Sequence, residues 1–234
     1  MSVTKIRISR ERKELISQYA TAAISLYGVI SAKEFVELFN HYEETHTTKD
    51  EALLALIRIA RTDDVEHSVF GDIISGPEFQ PEFDDYEYNV RRIRQAQKGK
   101  PRYLPGKEEF LKYVDFIYRE PEEPYAELKA YILKHKLTSS GEGIEGVDGD
   151  LIDLHEMIQY GVPVNDEFDY FTNAGYQLKD LEEASEFFTL VAYVHNHTRM
   201  YHNNGFTPYE IVEMQRRTRW NPSPKKLPKQ KKYS

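Results

Sequence analysis

Apolar positions recur along this chain mainly at helical spacing and only briefly at the alternating spacing of a strand. Between Ser9 and Tyr27, residues Leu15, Ile16, Tyr19, Ala20, Ala23, Ile24 and Tyr27 fall on one stripe, and Gly28 supplies the stop. Two short helices are predicted next by capping boxes. Ser31 with Glu34 precedes Phe35, Val36, Leu38 and Phe39, and Thr48 with Glu51 precedes Leu53, Leu54, Leu56, Ile57 and Ile59. Over residues 67–79 the pattern changes: β-branched residues surround Gly71 and Gly76-Pro77 interrupts the run, which predicts a short hairpin. Three helices followed by a hairpin is the order of a winged helix. The third helix, DEALLALIRIAR, carries only Arg58 and Arg61 and opens with two acids, so packing or protein contact is a better reading of it than major-groove recognition.

Downstream the helical spacing continues. Residues 107–136 predict two amphipathic helices, EEFLKYVDFIY and YAELKAYILKH, separated by a turn holding Pro121 and Pro124. Residues 139–150, with four glycines, predict a flexible hinge. Asp148, Asp150 and Asp153 do not have the spacing of a calcium loop. Short helices are expected at 151–160 and 166–176. Another is expected from about Lys179 through Leu181, Ala184, Phe187, Phe188, Val191 and Val194 until Asn203, Asn204 and Gly205 end it. The chain then restarts a helix: Thr207 and Glu210 have capping-box spacing, Pro208 sits at the first helical position, and Phe206 and Ile211 have the spacing of a hydrophobic staple. The fold class expected is mainly α, with an N-terminal winged-helix-like unit followed by a C-terminal helical array. The divisions are 1–83, 84–138, the hinge 139–150, 151–215 and a tail 216–234.

Within this corner, Asn196, Thr198, Arg199, Asn204, Gly205, Thr207, Pro208 and Glu210 form an N-x-T-R…N-G-x-T-P-x-E pattern. It resembles a family of uncharacterised bacterial proteins, mainly from Gram-positive bacteria, that often end in the zinc-binding SEC-C motif also found on the translocation ATPase SecA. The segments YGVISAKEFVELFN, KPRYLPGKEEFLKYVDFIY and PYAELKAYILKH are similar to that family too, so the likeness loosely covers residues 10–215. It implies a mostly helical fold and no established activity. SEC-C requires a cysteine cluster and this chain has no cysteine, so neither zinc nor SecA-like partner binding carries over.

Composition narrows the classes. The 234 residues are 40% hydrophobic and 13% aromatic, enough for a folded core, and no apolar run is long enough to span a membrane. The N-terminus lacks the apolar stretch of a signal peptide, and a cytoplasmic protein is expected. The net charge of -8 is unevenly placed: residues 216–234 hold eight Lys or Arg and no acid, which leaves 23 basic against 39 acidic residues in the rest. An acidic body disfavours broad contact with nucleic acid.

Candidate chemistry is sparse. Arg91, Arg92, Arg94, Lys98, Lys100 and Arg102, interleaved with Tyr86, Tyr88 and Tyr103, fit either a nucleic-acid track or a solvated helix face. The basic tail, with Arg216, Arg217, Arg219, Lys225 and Lys226, fits a solvated extension or an electrostatic anchor. On a continuous helix His195, Arg199 and His202 share a face with a cation at the position a metal's second ligand would need, so the two histidines are weak metal candidates. Asn196 and Arg199 read as structural, with Arg199 placed to bond loop carbonyls or pair with Glu210. Phosphate loops, nucleophile elbows and zinc-protease motifs are missing, and no catalytic residue or cofactor is assigned. The first expectation is a non-enzymatic interaction protein with protein partners and no membrane. A nucleic-acid-associated protein and a metal protein or enzyme around His195 and His202 are the alternatives.

Overall fold

In the computed structural model, which describes residues 7–76, 79, 86–137 and 146–220, the chain is mainly helical with one small antiparallel sheet. Helix α1, Arg10–Tyr27, starts where the Ser9 hydroxyl accepts from Arg12 N–H, and it ends at Gly28 with φ 71°. Strand β1, Val29–Ser31, leads into α2, Ala32–Tyr42, and then α3, Lys49–Ile59, β2, Ser68–Phe70, and β3, Ile73–Ser75. The sheet order is β1-β3-β2, with Val29 opposite Ser75 and Phe70 opposite Ile73. This is a winged-helix arrangement including the strand between the first two helices. Three residues between a glycine stop and a helix cap are too few to show strand periodicity, so β1 is absent from the sequence expectation.

Both predicted caps form, and they differ. Ser31 and Glu34 make the full reciprocal box. At α3, Thr48 accepts from Glu51 N–H at 3.2 Å, and the Glu51 carboxylate reaches Arg12 and Thr47. One local motif thereby ties the start of α3 to α1. The Arg12 bonds, followed by the one from Thr47, hold the Glu51 carboxyl below the usual range despite partial burial.

The remaining helices are α4, Tyr86–Gln97; α5, Lys107–Lys112; α6, Glu123–His135; α7, Val147–Tyr160; α8, Val164–Asn173; α9, Leu181–His197; and α10, Pro208–Trp220. Three differ from expectation. Helix α5 stops at Lys112, because Tyr113 turns inward, Tyr118 folds back edge-on to it and bonds Glu109, and Val114, Phe116 and Ile117 are left exposed. Helix α7 begins at Val147, inside the segment expected as hinge; of that segment, residues 139–145 lie outside the described residues. Helix α9 ends at His197, six residues before the expected stop at Asn203.

Two apolar clusters form two lobes. The first gathers Ile16, Tyr19, Ile24, Phe35, Phe39, Leu56, Ile74 and Phe110; the second gathers Tyr125, Leu128, Ile132, Leu154, Phe171, Phe187 and Val191. A small third cluster of Val29, Phe79, Ile93 and Tyr201 lies where they meet. The expected middle segment 84–138 contributes to all three, so the packing does not follow that division. Among the described residues no helix is long and apolar enough to cross a membrane.

Candidate functional site at the lobe seam

The early end of α9 builds this site. The Thr198 hydroxyl donates to the Val194 carbonyl at 2.8 Å and its backbone turns extended, so Arg199 and Met200 leave the helix axis. A 3-10 turn, Tyr201–Asn203, follows, and Asn204 and Gly205 both take positive φ. Helix α10 then begins as predicted: Thr207 Oγ1 accepts from Glu210 N–H at 3.1 Å and Glu210 accepts from Thr207 N–H at 2.9 Å. Phe206 meets Tyr103 edge-on.

Arg199 is buried at the centre. Its guanidinium bonds Glu120 at 2.7 Å, the Gly205 carbonyl at 3.0 Å and Glu210 at 3.0 Å, and it lies 3.5 Å from the Tyr103 ring centre. Burial opposes its charge, but Tyr113, Glu210 and Glu120 together raise its pKa above the ordinary arginine value. Around it the corner is bonded to the first lobe. Asn204 Nδ2 donates to the carbonyls of Gln97 and Lys100, Gln97 Nε2 donates to those of Tyr27 and Tyr201, and Lys100 Nζ donates to the His202 carbonyl at 2.8 Å. Glycines permit the approach: a Cβ on Gly28 would lie 2.7 Å from the Tyr201 ring, and one on Gly161 would lie 2.6 Å from His202.

The basic stretch is largely turned to this seam. Arg94 pairs with Glu34 at 2.8 Å, and Arg102 pairs with Glu34 at 3.3 Å while lying over the Tyr27 ring. Burial raises the Glu34 carboxyl, but the bonds from Ser31 and Arg94 outweigh it and bring the pKa below the usual value. Arg92 donates to the Tyr160 carbonyl, Arg91 sits 3.9 Å from Glu87 on an exposed face, and Lys98 is exposed. Of the interleaved aromatics, Tyr88 is exposed and Tyr103 lies under Arg199. In the tail, Arg216 pairs with Glu213, Arg217 is exposed and Arg219 is in α10; Lys225 and Lys226 lie outside the described residues.

His195 and His202 do not share a helix face, since α9 has ended between them, yet both line one shallow pocket with Arg92 and Met200. His195 Nδ1 is 2.8 Å from Glu167, a fully buried carboxyl whose pKa is raised by burial and whose other oxygen has no partner among the described residues. His202 is pushed down to about 4 by burial, then by Arg92 and Lys100. His197 bonds the Tyr193 carbonyl and stacks on Tyr209, and Asn196 bonds the Ala192 carbonyl. Among the described residues no group of three His, Asp or Glu is placed to hold a metal ion. Asp148, Asp150 and Asp153 are engaged by Lys129, Tyr176 and Tyr170.

Local spacing shows the cap and the turn at this corner. It does not show Glu120, Gln97 or Tyr103, which reach it from distant segments, nor the Glu34 pairs of Arg94 and Arg102. In comparisons with known proteins, no family model, curated protein or solved structure matches the chain.

Proposed function

We propose that the chain is a non-enzymatic, cytoplasmic protein-interaction module whose contact face is the outward side of the winged-helix unit. The observation that carries this reading is the exposed stripe of α3. Asp50, half-buried Leu54 and Ile57 recur on one side of the helix, opposite the buried Ala52, Ala55, Leu56 and Ile59, with exposed Arg61 just past its end, and Ile57 is 39% exposed. Phe70 at the end of β2 is 53% exposed. A DNA reader would present donors to base edges there; this unit presents an acid, two aliphatic residues and one arginine, followed by the acidic Asp63, Asp64 and Glu66. Apolar area within a charged rim suits a protein partner.

The nucleic-acid alternative retains Arg91, Arg92 and Tyr88 on α4 and Lys98 just after it, together with the tail, whereas Arg94, Lys100 and Arg102 are engaged inside the molecule. Purification of tagged wild type and an Ile57→Glu/Phe70→Glu variant from the native cytoplasm, with and without nuclease, distinguishes the two. The interaction reading expects partners that survive nuclease and are lost in the variant, with melting of the variant unchanged. Partners that vanish with nuclease and persist in the variant contradict it.

A further inference from the structure

A cavity of about 340 Å³ opens between the lobes, bounded by the 113–119 loop, α7 and Tyr201 of the 3-10 turn. In its wall sits His155, only 8% exposed. A chain of hydrogen bonds fixes which ring nitrogen carries the proton. Thr198 Oγ1 donates to the Val194 carbonyl, so it accepts from the Tyr125 hydroxyl at 2.8 Å. With its own proton so placed, Tyr125 accepts from His155 Nδ1–H at 2.8 Å. Nε2 is left as a lone-pair acceptor on a ring that lines the cavity. Burial, reinforced by the nearby Arg119, pushes His155 down to about 3, so the ring is neutral at physiological pH and too weak a base for proton abstraction. It is a permanent acceptor.

The rest of the lining selects a complement. Glu66 and Glu156 contribute two carboxyl groups. Among the described residues the one lining cation, Arg119, is turned to the protein: it lies over the Tyr125 ring and donates to the Ile117 and Leu151 carbonyls. Phe116 and Ile117, 42% and 59% exposed, give the mouth an apolar side. The geometry points to a binding site for a small organic cation, an ammonium or amidinium on an apolar or aromatic body. One N–H donates to His155 Nε2, the charge faces Glu156, and the body lies against Phe116 and Ile117. This site touches the rim of the α3 face at Glu66 but does not rest on the interaction reading.

The test titrates the full chain with benzylamine, benzyl alcohol and phenylacetate, which share a ring and differ in charge, while amide and histidine-ring nitrogen resonances are followed. Benzylamine is expected to shift residues 115–119 and 152–160 saturably and to move His155 Nε2; phenylacetate is not. Glu156→Gln, at an exposed position, weakens benzylamine about tenfold and leaves benzyl alcohol unchanged, while His155→Phe weakens both, since both donate to Nε2. In the unsubstituted protein the His155 ring itself reads out as the Nδ1–H form. A ring protonated at Nε2, phenylacetate binding as tightly as benzylamine, or no saturable shift with benzylamine overturns the assignment.

Discussion

The seam between the lobes and the outward face of the winged-helix unit are built from opposite materials. At the seam, Arg94, Lys100, Arg102 and Arg199 meet carboxylates, carbonyls and aromatic faces inside the molecule. On α3 and β2, aliphatic and aromatic side chains face outward. A count of charges along the chain would put nucleic-acid contact in the first region and core packing in the second. In the structure several cations of the first region are paired internally, while Ile57 and Phe70 of the second stay exposed beside a face that packs in the core, because a buried cation must be paired to be tolerated and an exposed apolar group is tolerated only in small amounts.

The largest expected effect is on pH. His67 and His155 are buried and pushed down to about 4 and about 3, chiefly by burial. Their folded pKa values lie below the unfolded one, so the unfolded chain takes up protons that the folded chain refuses, and stability falls as pH drops below about 6.5. At pH 4.5 each of these two histidines removes about 2.5 kcal/mol, His202, also pushed down to about 4, adds a further loss, and denaturant melts at pH 7 and 4.5 measure their combined effect. Equal stability at both values would remove the buried histidines from the account. Next comes Arg199→Ala, which strips a buried cation from Glu120 and Glu210 and lowers stability by about 3 kcal/mol, whereas unchanged melting makes the hub ornamental. Gly28→Ala, where φ is positive and Tyr201 occupies the space, costs about 2 kcal/mol in the same assay. Thr207→Ala removes only a helix cap and costs about 1 kcal/mol. Smallest is Ile57→Glu on the outward face, within about 0.5 kcal/mol of wild type; a large loss there makes that face part of the core and ends the contrast.

Local chemistry was legible and long-range pairing was not. The Ser31-Glu34 and Thr207-Glu210 boxes, the Gly28 stop and the hairpin can be read because each depends on residues only a few positions apart. The Arg199–Glu210 pair, 11 residues apart within the same corner, is also suggested by the sequence. Its second carboxylate, Glu120, lies 79 residues away, and Arg94 meets Glu34 across 60, so no spacing rule connects them. Helix α9 was expected to be longer because Met200 and Tyr201 extend its apolar pattern; the Thr198 hydroxyl and the contacts of the corner with Gln97 and Tyr103 end it sooner. The apolar run after α5 misled for a related reason, since its Val114, Phe116 and Ile117 belong to an exposed loop.

The central claim is that the 199–210 corner joins the two lobes into one cooperative unit, with Arg199 as the joint. Hydrogen exchange measured segment by segment on wild type and Arg199→Ala tests it most directly. The account predicts that α1 and α3 in one lobe and α6 and α9 in the other lose protection together and by similar free energies. Loss confined to the corner and the start of α10, with both lobes as protected as before, would contradict it.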